Sequence, residues 1–375
     1  MPPVRAPLLR IPYTSPLPAP RIIPASAGTA SGAIAALAEF LGRSERAESR
    51  REKDGKTLLL TGAGISVASG LADYRGTKGT YTLNKTYRPI YYNEFCENHE
   101  MRKRYWARSF LGWTNMLKAR PNAGHEAVAR LGELGIVSSL ITQNVDSFHP
   151  KAHPSLPTIE LHGYLRTLTC LTCKSSYSRN DFQTDLARLN PAWSTFLQEM
   201  LATGALDTEN PDERRKRGLK SNPDGDVDIP GAPYTTFRYP ACPTCLEKGV
   251  QGVGVDNDGG WKEGSTGGIL KPSVVMFGES IPLERKNAAE QAVNAAERIL
   301  VIGSSLATYS AWRLVKHAKE LGLPIGILNI GGVRGEDTFF GDVPETNTGK
   351  QAVRCSESAD VVLPGVVKIL ENSGR

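Results

Sequence analysis

Apolar residues in this chain fall into short unbroken runs that end in glycine or polar turns. Between the runs, apolar residues recur at helical spacing. Ser31 stands where it can cap a helix that carries Ile34, Leu37 and Leu41 and closes at Gly42. A charged stretch, 43–56, follows. Lys56 to Thr61 then reads as a buried strand feeding a tight glycine turn. Val128, Leu131 and Leu134 share one face of a helix expected from Pro121 to Leu134. Ile136 to Thr142 predicts a second buried strand, and Ile299 to Ile302 a third with a helix behind it. Ile325 to Ile330 predicts a fourth, and Val361 to Leu363 a fifth. Fully apolar strands alternating with helices predict an α/β fold with a parallel, doubly wound, Rossmann-like sheet. The segment 164–268 breaks the rhythm, being rich in Pro, Gly and Asp with few periodic runs. It predicts a small inserted domain. The expected division is a sheet domain of 29–163 and 269–375, the insertion 164–268, and residues 1–28 outside the fold.

Composition narrows the class. A chain of 375 residues with 40% hydrophobic and 22% charged residues is globular, long enough to bury a core without disulfide staples. The excess of 45 basic over 39 acidic residues is mild. No basic stripe is interleaved with aromatics, so no direct nucleic-acid partner is expected. No apolar run reaches the roughly 18 residues that a membrane span requires. Arg5, Arg10 and Arg21 precede the first acid, Glu39. A basic, acid-free leader points to a transit peptide and a mitochondrial matrix address. The competing reading is a Pro-rich tail on a cytoplasmic or nuclear protein.

Two features carry chemistry. Gly62, Ala63, Gly64 and Ser66 follow the first strand, where glycines let a backbone approach a phosphate and turn into a helix. Hydride-transferring Rossmann enzymes place an acid about 20 residues later for the ribose hydroxyls. Residues 76–90 hold none, so a dinucleotide here would have its ribose read by other groups. Cys170 with Cys173, and Cys242 with Cys245, form two C-x-x-C pairs separated by residues 174–241. Each pair can present two thiolates to one tetrahedral ion, and four thiolates leave no open position for a reacting molecule. One structural Zn2+ is therefore expected, with disulfides or redox dithiols as the alternatives. His149 and His153 stand outside this set.

The longer strings extend the pattern. Gly62 to Gly76 reads Gly-Ala-Gly-Ile-Ser-Val-Ala-Ser-Gly-Leu-Ala-Asp-Tyr-Arg-Gly. Thr142-Gln-Asn-Val-Asp146, Leu161-His-Gly163, the cysteine pairs, Lys271 to Glu279, Gly303-Ser-Ser305 and Asn329-Ile-Gly331 follow in order. In this ordered set the chain resembles the sirtuins, NAD-dependent protein deacylases, over roughly residues 57–365. Arg104-Tyr-Trp-Ala-Arg108, Leu189 to Trp193 and Asn222 to Val227 resemble the class II branch, which includes mitochondrial members.

The resemblance implies a reaction. An acyl-lysine carbonyl oxygen attacks the nicotinamide ribose of NAD as nicotinamide leaves. A ribose hydroxyl then attacks the adduct and must lose a proton, a task for a neutral imidazole. His162 matches the family's general base. Gln143, Asn144 and Asp146 match positions near nicotinamide and its ribose. Asp73, Tyr74 and Arg75 match a mobile loop that folds over NAD, although Ala72 stands where the family often has proline. Gly303, Ser304 and Ser305 match phosphate or ribose contacts. Asn329, Ile330 and Gly331 match the adenosine side, where Asn329 would do the work of the absent acid, and Cys355 matches a position near adenine. Val274, Val275, Phe277, Gly278 and Glu279 match the segment on which an acyl-peptide docks as an added strand. Tyr105 and Arg108 share a helix face, at the spacing with which relatives hold a distal acyl carboxylate. A preference for acidic acyl-lysines is therefore expected. Mono-ADP-ribosyl transfer to protein is the alternative activity, and a non-catalytic NAD-sensing module a more distant one.

Overall fold

A computed structural model describes residues 13, 15–42, 56–83, 87–204, 206, 220–221, 226–229, 231–344 and 349–373. Four strands stand close to where their apolar runs put them: β1 (Thr57–Thr61), β2 (Val137–Thr142), β7 (Arg298–Ile302) and β8 (Ile325–Leu328). β3 (Thr158–Glu160) and β9 (Ala352–Cys355) flank them in a six-stranded sheet ordered β9-β8-β7-β1-β2-β3, with every pairing parallel.

Alternation along each strand divides the core between the two faces of the sheet. Leu59, Leu140 and Leu300 meet α1 (Ala30–Leu41), α3 (Ala123–Glu133) and α8 (Ala359–Ser373) through Leu37, Val128 and Val362. Leu58, Leu60, Ile141 and Val301 meet α6 (Leu283–Asn294) and α7 (Tyr309–Glu320) through Val293, Leu314 and Val315. Burial on both faces is why these strands read as unbroken apolar runs.

A second body carries the cysteines. β4 (Gly163–Cys170), β5 (Ser176–Ser178) and β6 (Leu270–Val274) form an antiparallel sheet ordered β5-β4-β6. Its core joins α4 (Arg179–Leu189) and α5 (Pro191–Ala202) to α2 (His99–Lys118), with Trp106, Phe110, Phe182 and Phe237 at the centre. Segments outside 164–268, namely α2 and β6, thus enter the small body.

Three expectations change. Val361 to Leu363 lies inside α8, and the edge strand is Ala352–Cys355. The cap of α1 is Thr29, whose hydroxyl accepts from Gly32 N at 3.2 Å. Residues 15–28 pack on the fold: Ile23 and Ala27 are fully buried, and Ile23 forms an antiparallel bridge with Arg354. Residues 1–12, most of the charged stretch 43–56, and Asn222 to Gly225 lie outside the described residues. Among the described residues no helix is long and apolar enough to cross a membrane.

Candidate active site

β1 connects toward β2, while its other neighbour, β7, arrives late in the chain. Ligands of open α/β sheets lie at such a switch point, beyond the carboxyl ends of the strands. Here those ends carry Gly62 and Gly303. Gly64 N donates to Gly303 O at 2.8 Å. A Cβ on Gly62 would stand 2.8 Å from Gly303 O, and one on Gly64 2.7 Å from Gly303 Cα. Gly303 has φ 61°. The glycines are therefore required first by contact between the two loops. The segment after Gly62 is a tight 3₁₀ run, Ala63–Ser69, rather than the α-helix expected. Together the loops floor a cleft of about 1510 Å³.

Gln143 organises the middle of this floor. Its Nε2 donates to Ser304 Oγ at 2.7 Å, and its Oε1 accepts from Thr308 Oγ1 at 3.0 Å. Its carbonyl lies 3.1 Å from His162 Nδ1. A carbonyl only accepts, so Nδ1 carries the proton and Nε2 holds the lone pair. Burial pushes the His162 imidazolium down to about 4, partly opposed by the Gln143 carbonyl, so the ring is neutral at physiological pH. Asn144 Nδ2 donates to Gly62 O at 3.1 Å and Ser66 Oγ at 3.2 Å. Ser66 Oγ in turn donates to Asp146 Oδ2 at 2.7 Å. Burial raises the Asp146 carboxyl, while Phe148 N–H and the Ser66 hydroxyl favour its charged form.

Other expected residues reach the same cleft. Asp73 Oδ1 accepts from Gly76 N at 2.9 Å, closing its loop, and burial raises its pKa. Tyr74 stacks on Tyr81 at 5.8 Å, and the Arg75 guanidinium lies 4.9 Å from the Tyr81 ring centroid. Ser305, Asn329, Ile330 and Gly331 line the far end, with Asn329 Nδ2 donating to Ile330 O at 3.1 Å. Val274, Val275, Phe277, Gly278 and Glu279 line the near end. There Val275 N donates to His162 O at 2.7 Å, and Glu279 Oε2 accepts from Met276 N and Lys271 Nζ at 2.9 and 3.0 Å. The segment that follows β6, expected to dock the peptide, thus also fixes the backbone of His162.

Three expected site residues sit differently. Cys355 does not reach the cleft wall: it is fully buried at the end of β9, and its thiol is pushed up to about 12 by burial. Only its carbonyl touches the site region, accepting from Asn329 N at 3.1 Å. Tyr105 and Arg108 do line the cleft, but both are buried and Arg108 is an ion-pair member. Its Nη2 lies 2.6 Å from Asp226 Oδ2, with Asp228 Oδ1 4.0 Å from its Nε. Sequence reading also passed over Ser310, Arg334 and Tyr13, and met Asp226 only within the string Asn222 to Val227, with no role; all four line the cleft. Ser310, Arg334 and Tyr13 belong to no quoted string, and the place of Asp226 in the cleft depends on a segment distant from α2 in the chain.

The four cysteines of the pairs converge at the end of β4 and the start of a short helix, Pro243–Glu247. Their Sγ atoms lie within 4.8 Å of one another, with Cys170–Cys245 at 3.6 Å and Cys173–Cys242 at 3.7 Å. All are free thiols. A tetrahedral Zn(S)₄ centre with bonds of about 2.3 Å has sulfur–sulfur edges of about 3.8 Å, whereas a disulfide needs about 2.05 Å. The cluster fits one structural zinc and sets the disulfide reading aside. His149 and His153 are indeed elsewhere: they hydrogen-bond each other at 2.9 Å and His149 reaches Thr61 Oγ1 at 2.9 Å.

Comparison with known proteins places this geometry. The Sir2 family pattern matches residues 62–310. The chain is 39% identical over 318 residues to the NAD-dependent protein deacylase SIR4 of Batrachochytrium dendrobatidis, covering 83% of this chain and 89% of that one. It is 37% identical over 279 residues to the NAD-dependent protein deacylase Sirt4 of Drosophila melanogaster, covering 74% and 76% respectively. A solved Sir2 homologue in complex with ADP-ribose shares the fold, with a TM-score of 0.56 and 23% identity over 90% of this chain and 96% of that one.

Proposed function

Starting from the fact that the chain belongs to the Sir2 family and is an NAD-dependent protein deacylase, we propose that it is a class II member in which His162 Nε2 is the base for acyl transfer. The observation that carries this assignment is the fixed tautomer: Nδ1–H is held by the Gln143 carbonyl, which leaves the lone pair on Nε2. Bound NAD supplies an electrophilic ribose carbon and a leaving nicotinamide, and the acyl-lysine supplies the attacking oxygen. Gln143, Asn144 and Asp146 hold the ribose and nicotinamide end, where an amide can both donate and accept. Gly62, Ala63, Gly64 and Ser66 with Gly303, Ser304 and Ser305 take the phosphates, and Asn329 to Gly331 the adenosine ribose. Arg75 offers a fixed cation to phosphate, and Tyr74 excludes water from the reacting centre. The acyl-peptide adds along 274–279, and Tyr105 and Arg108 wall the acyl end.

The class II reading is supported by Arg104 to Arg108 and Leu189 to Trp193, and by relatives named SIR4 and Sirt4. A mitochondrial matrix address is proposed from Arg5 and Arg10, in residues 1–12, outside the described structure.

The test is a panel of acyl-lysine peptides with NAD, following nicotinamide and the acyl product together. Free O-acyl-ADP-ribose supports deacylation, and ADP-ribosylated protein supports the transferase alternative. His162→Phe should lower acyl transfer by at least about a hundredfold, with circular dichroism and zinc content unchanged. Near-native turnover by that variant would remove the assignment.

A further inference from the structure

Resting on that reading, we propose that Ser310 is a catalytic proton relay between a ribose hydroxyl of NAD and His162. Ser310 Oγ lies 2.8 Å from His162 Nε2. Because Nδ1 already donates to the Gln143 carbonyl, Nε2 of the neutral ring has no proton to give. The Ser310 hydroxyl must therefore be the donor. An imidazole nitrogen has a single lone pair, so while Ser310 holds it a second hydroxyl has no place at Nε2. The serine oxygen keeps acceptor lone pairs of its own. Ser310 is half-buried and lines the same cleft as His162, Gln143 and Asn144. A hydroxyl in the cleft can donate to Ser310 Oγ and reach the base through it.

The local fold holds the serine for this task. Ser310 is the second residue of α7, a helix of 12 residues whose N-cap is Thr308. The Thr308 side chain makes no capping bond and instead donates to Gln143 Oε1 at 3.0 Å. Gln143 thus ties the start of α7 with its side chain and orients the imidazole with its carbonyl. The positive end of the helix favours developing negative charge on the serine oxygen. The step balances. The ribose O–H bond breaks as its proton joins Ser310 Oγ, the original Ser310 proton moves to Nε2, and the freed ribose oxygen becomes the nucleophile. The serine ends as it began, and the imidazolium is stabilised by the Gln143 carbonyl.

Ser310→Ala and Ser310→Thr in the full chain, with NAD and an acetyl-lysine peptide, test this. Nicotinamide exchange into NAD needs no base, whereas formation of O-acetyl-ADP-ribose does. The ratio of transfer to exchange should fall about tenfold in Ser310→Ala and return to within about twofold of wild type in Ser310→Thr. The solvent proton inventory of wild-type transfer should be curved, reporting more than one moving proton, and that of Ser310→Ala linear. An unchanged ratio in Ser310→Ala, an equal fall in both steps, or a linear wild-type inventory would overturn the relay and leave the deacylase reading in place. Wild-type protein that releases no nicotinamide would sink the deacylase reading itself, and the relay with it.

Discussion

A charge offered to a pocket counts only to the extent that the wall has not already neutralised it. Arg108 is, with Tyr105, one of two residues expected to meet an acyl carboxylate, and it lines the cleft. It is buried, however, against Asp226 at 2.6 Å. An incoming carboxylate meets an ion pair of no net charge and must compete with Asp226 for the fork. The expected preference for acidic acyl chains is therefore restrained by a residue that helix spacing on α2 cannot reveal. Asp226→Asn should raise kcat/KM for a glutaryl-lysine peptide relative to acetyl-lysine by about five- to tenfold, the worth of freeing a charged hydrogen-bonding group. Asp228, 4.0 Å away, still faces Arg108 in that variant, which limits the stability cost. Adding Arg108→Met to Asp226→Asn should abolish the gain. Equal changes for the two peptides would show that the pair only braces the wall.

At the level of elements, what the sequence reveals follows from burial. β1, β2, β7 and β8 are covered on both faces, so their apolar runs are continuous and readable. β9 escaped because it contains Arg354, a charge that argues against a core strand. The fold absorbs it: Arg354 Nε donates to Glu336 Oε1 at 2.6 Å, with both side chains buried. Val361 to Leu363 shows the converse, since a three-residue apolar run fits a strand or a helix equally and α8 takes it. The motifs disclosed His162, Gln143 and the cysteine set, because ordered short strings carry them. Ser310 stayed hidden because a single residue outside the motifs carries no string, and Asp226, although inside Asn222 to Val227, meets Arg108 only through the fold. The cysteine cluster ties β4 to the Pro243–Glu247 helix, and β4 begins directly after His162. Metal loss should therefore reach the active site through the β4–β6 pairing. Chelation or Cys242→Ser should remove one zinc per chain and lower Tm by on the order of 10 °C. Deacylation should fall along with it. Metal analysis, calorimetry and turnover check this; full activity in zinc-free protein would mean the cluster is dispensable.

Over the whole molecule, the segment 15–28 joins ends of the fold that no single element connects. Arg21 N donates to Glu336 Oε1 at 3.0 Å, and its guanidinium donates to Phe340 O and Val343 O at 2.8 and 3.1 Å. Ile23 exchanges backbone bonds with Arg354 at 3.1 and 2.7 Å, extending the sheet beyond β9 with an antiparallel bridge. Before Arg21 the chain runs along the cleft. Pro18 O would be 1.8 Å from a Cβ on Gly332, so that glycine leaves room for the segment. The Arg334 guanidinium lies 4.9 Å from the Tyr13 ring and 4.5 Å from Trp312. Arg75 Nη2 donates to Tyr13 O at 3.4 Å. Tyr13, just ahead of the segment, thus touches both the loop that carries Arg75 and the wall beyond Asn329. Two truncations separate its roles. Removing residues 1–20 takes away Tyr13 and Leu17 while keeping Arg21 and Ile23, and should raise KM for NAD about three- to tenfold with kcat within about twofold. Removing residues 1–24 also deletes a fully buried Ile and its two backbone bonds, a loss of about 3–5 kcal/mol that should lower Tm on the order of 10 °C. NAD titration and calorimetry read the two effects independently. Identical KM and Tm for all three proteins would show that the segment rests on the surface without contributing to the site or to the fold.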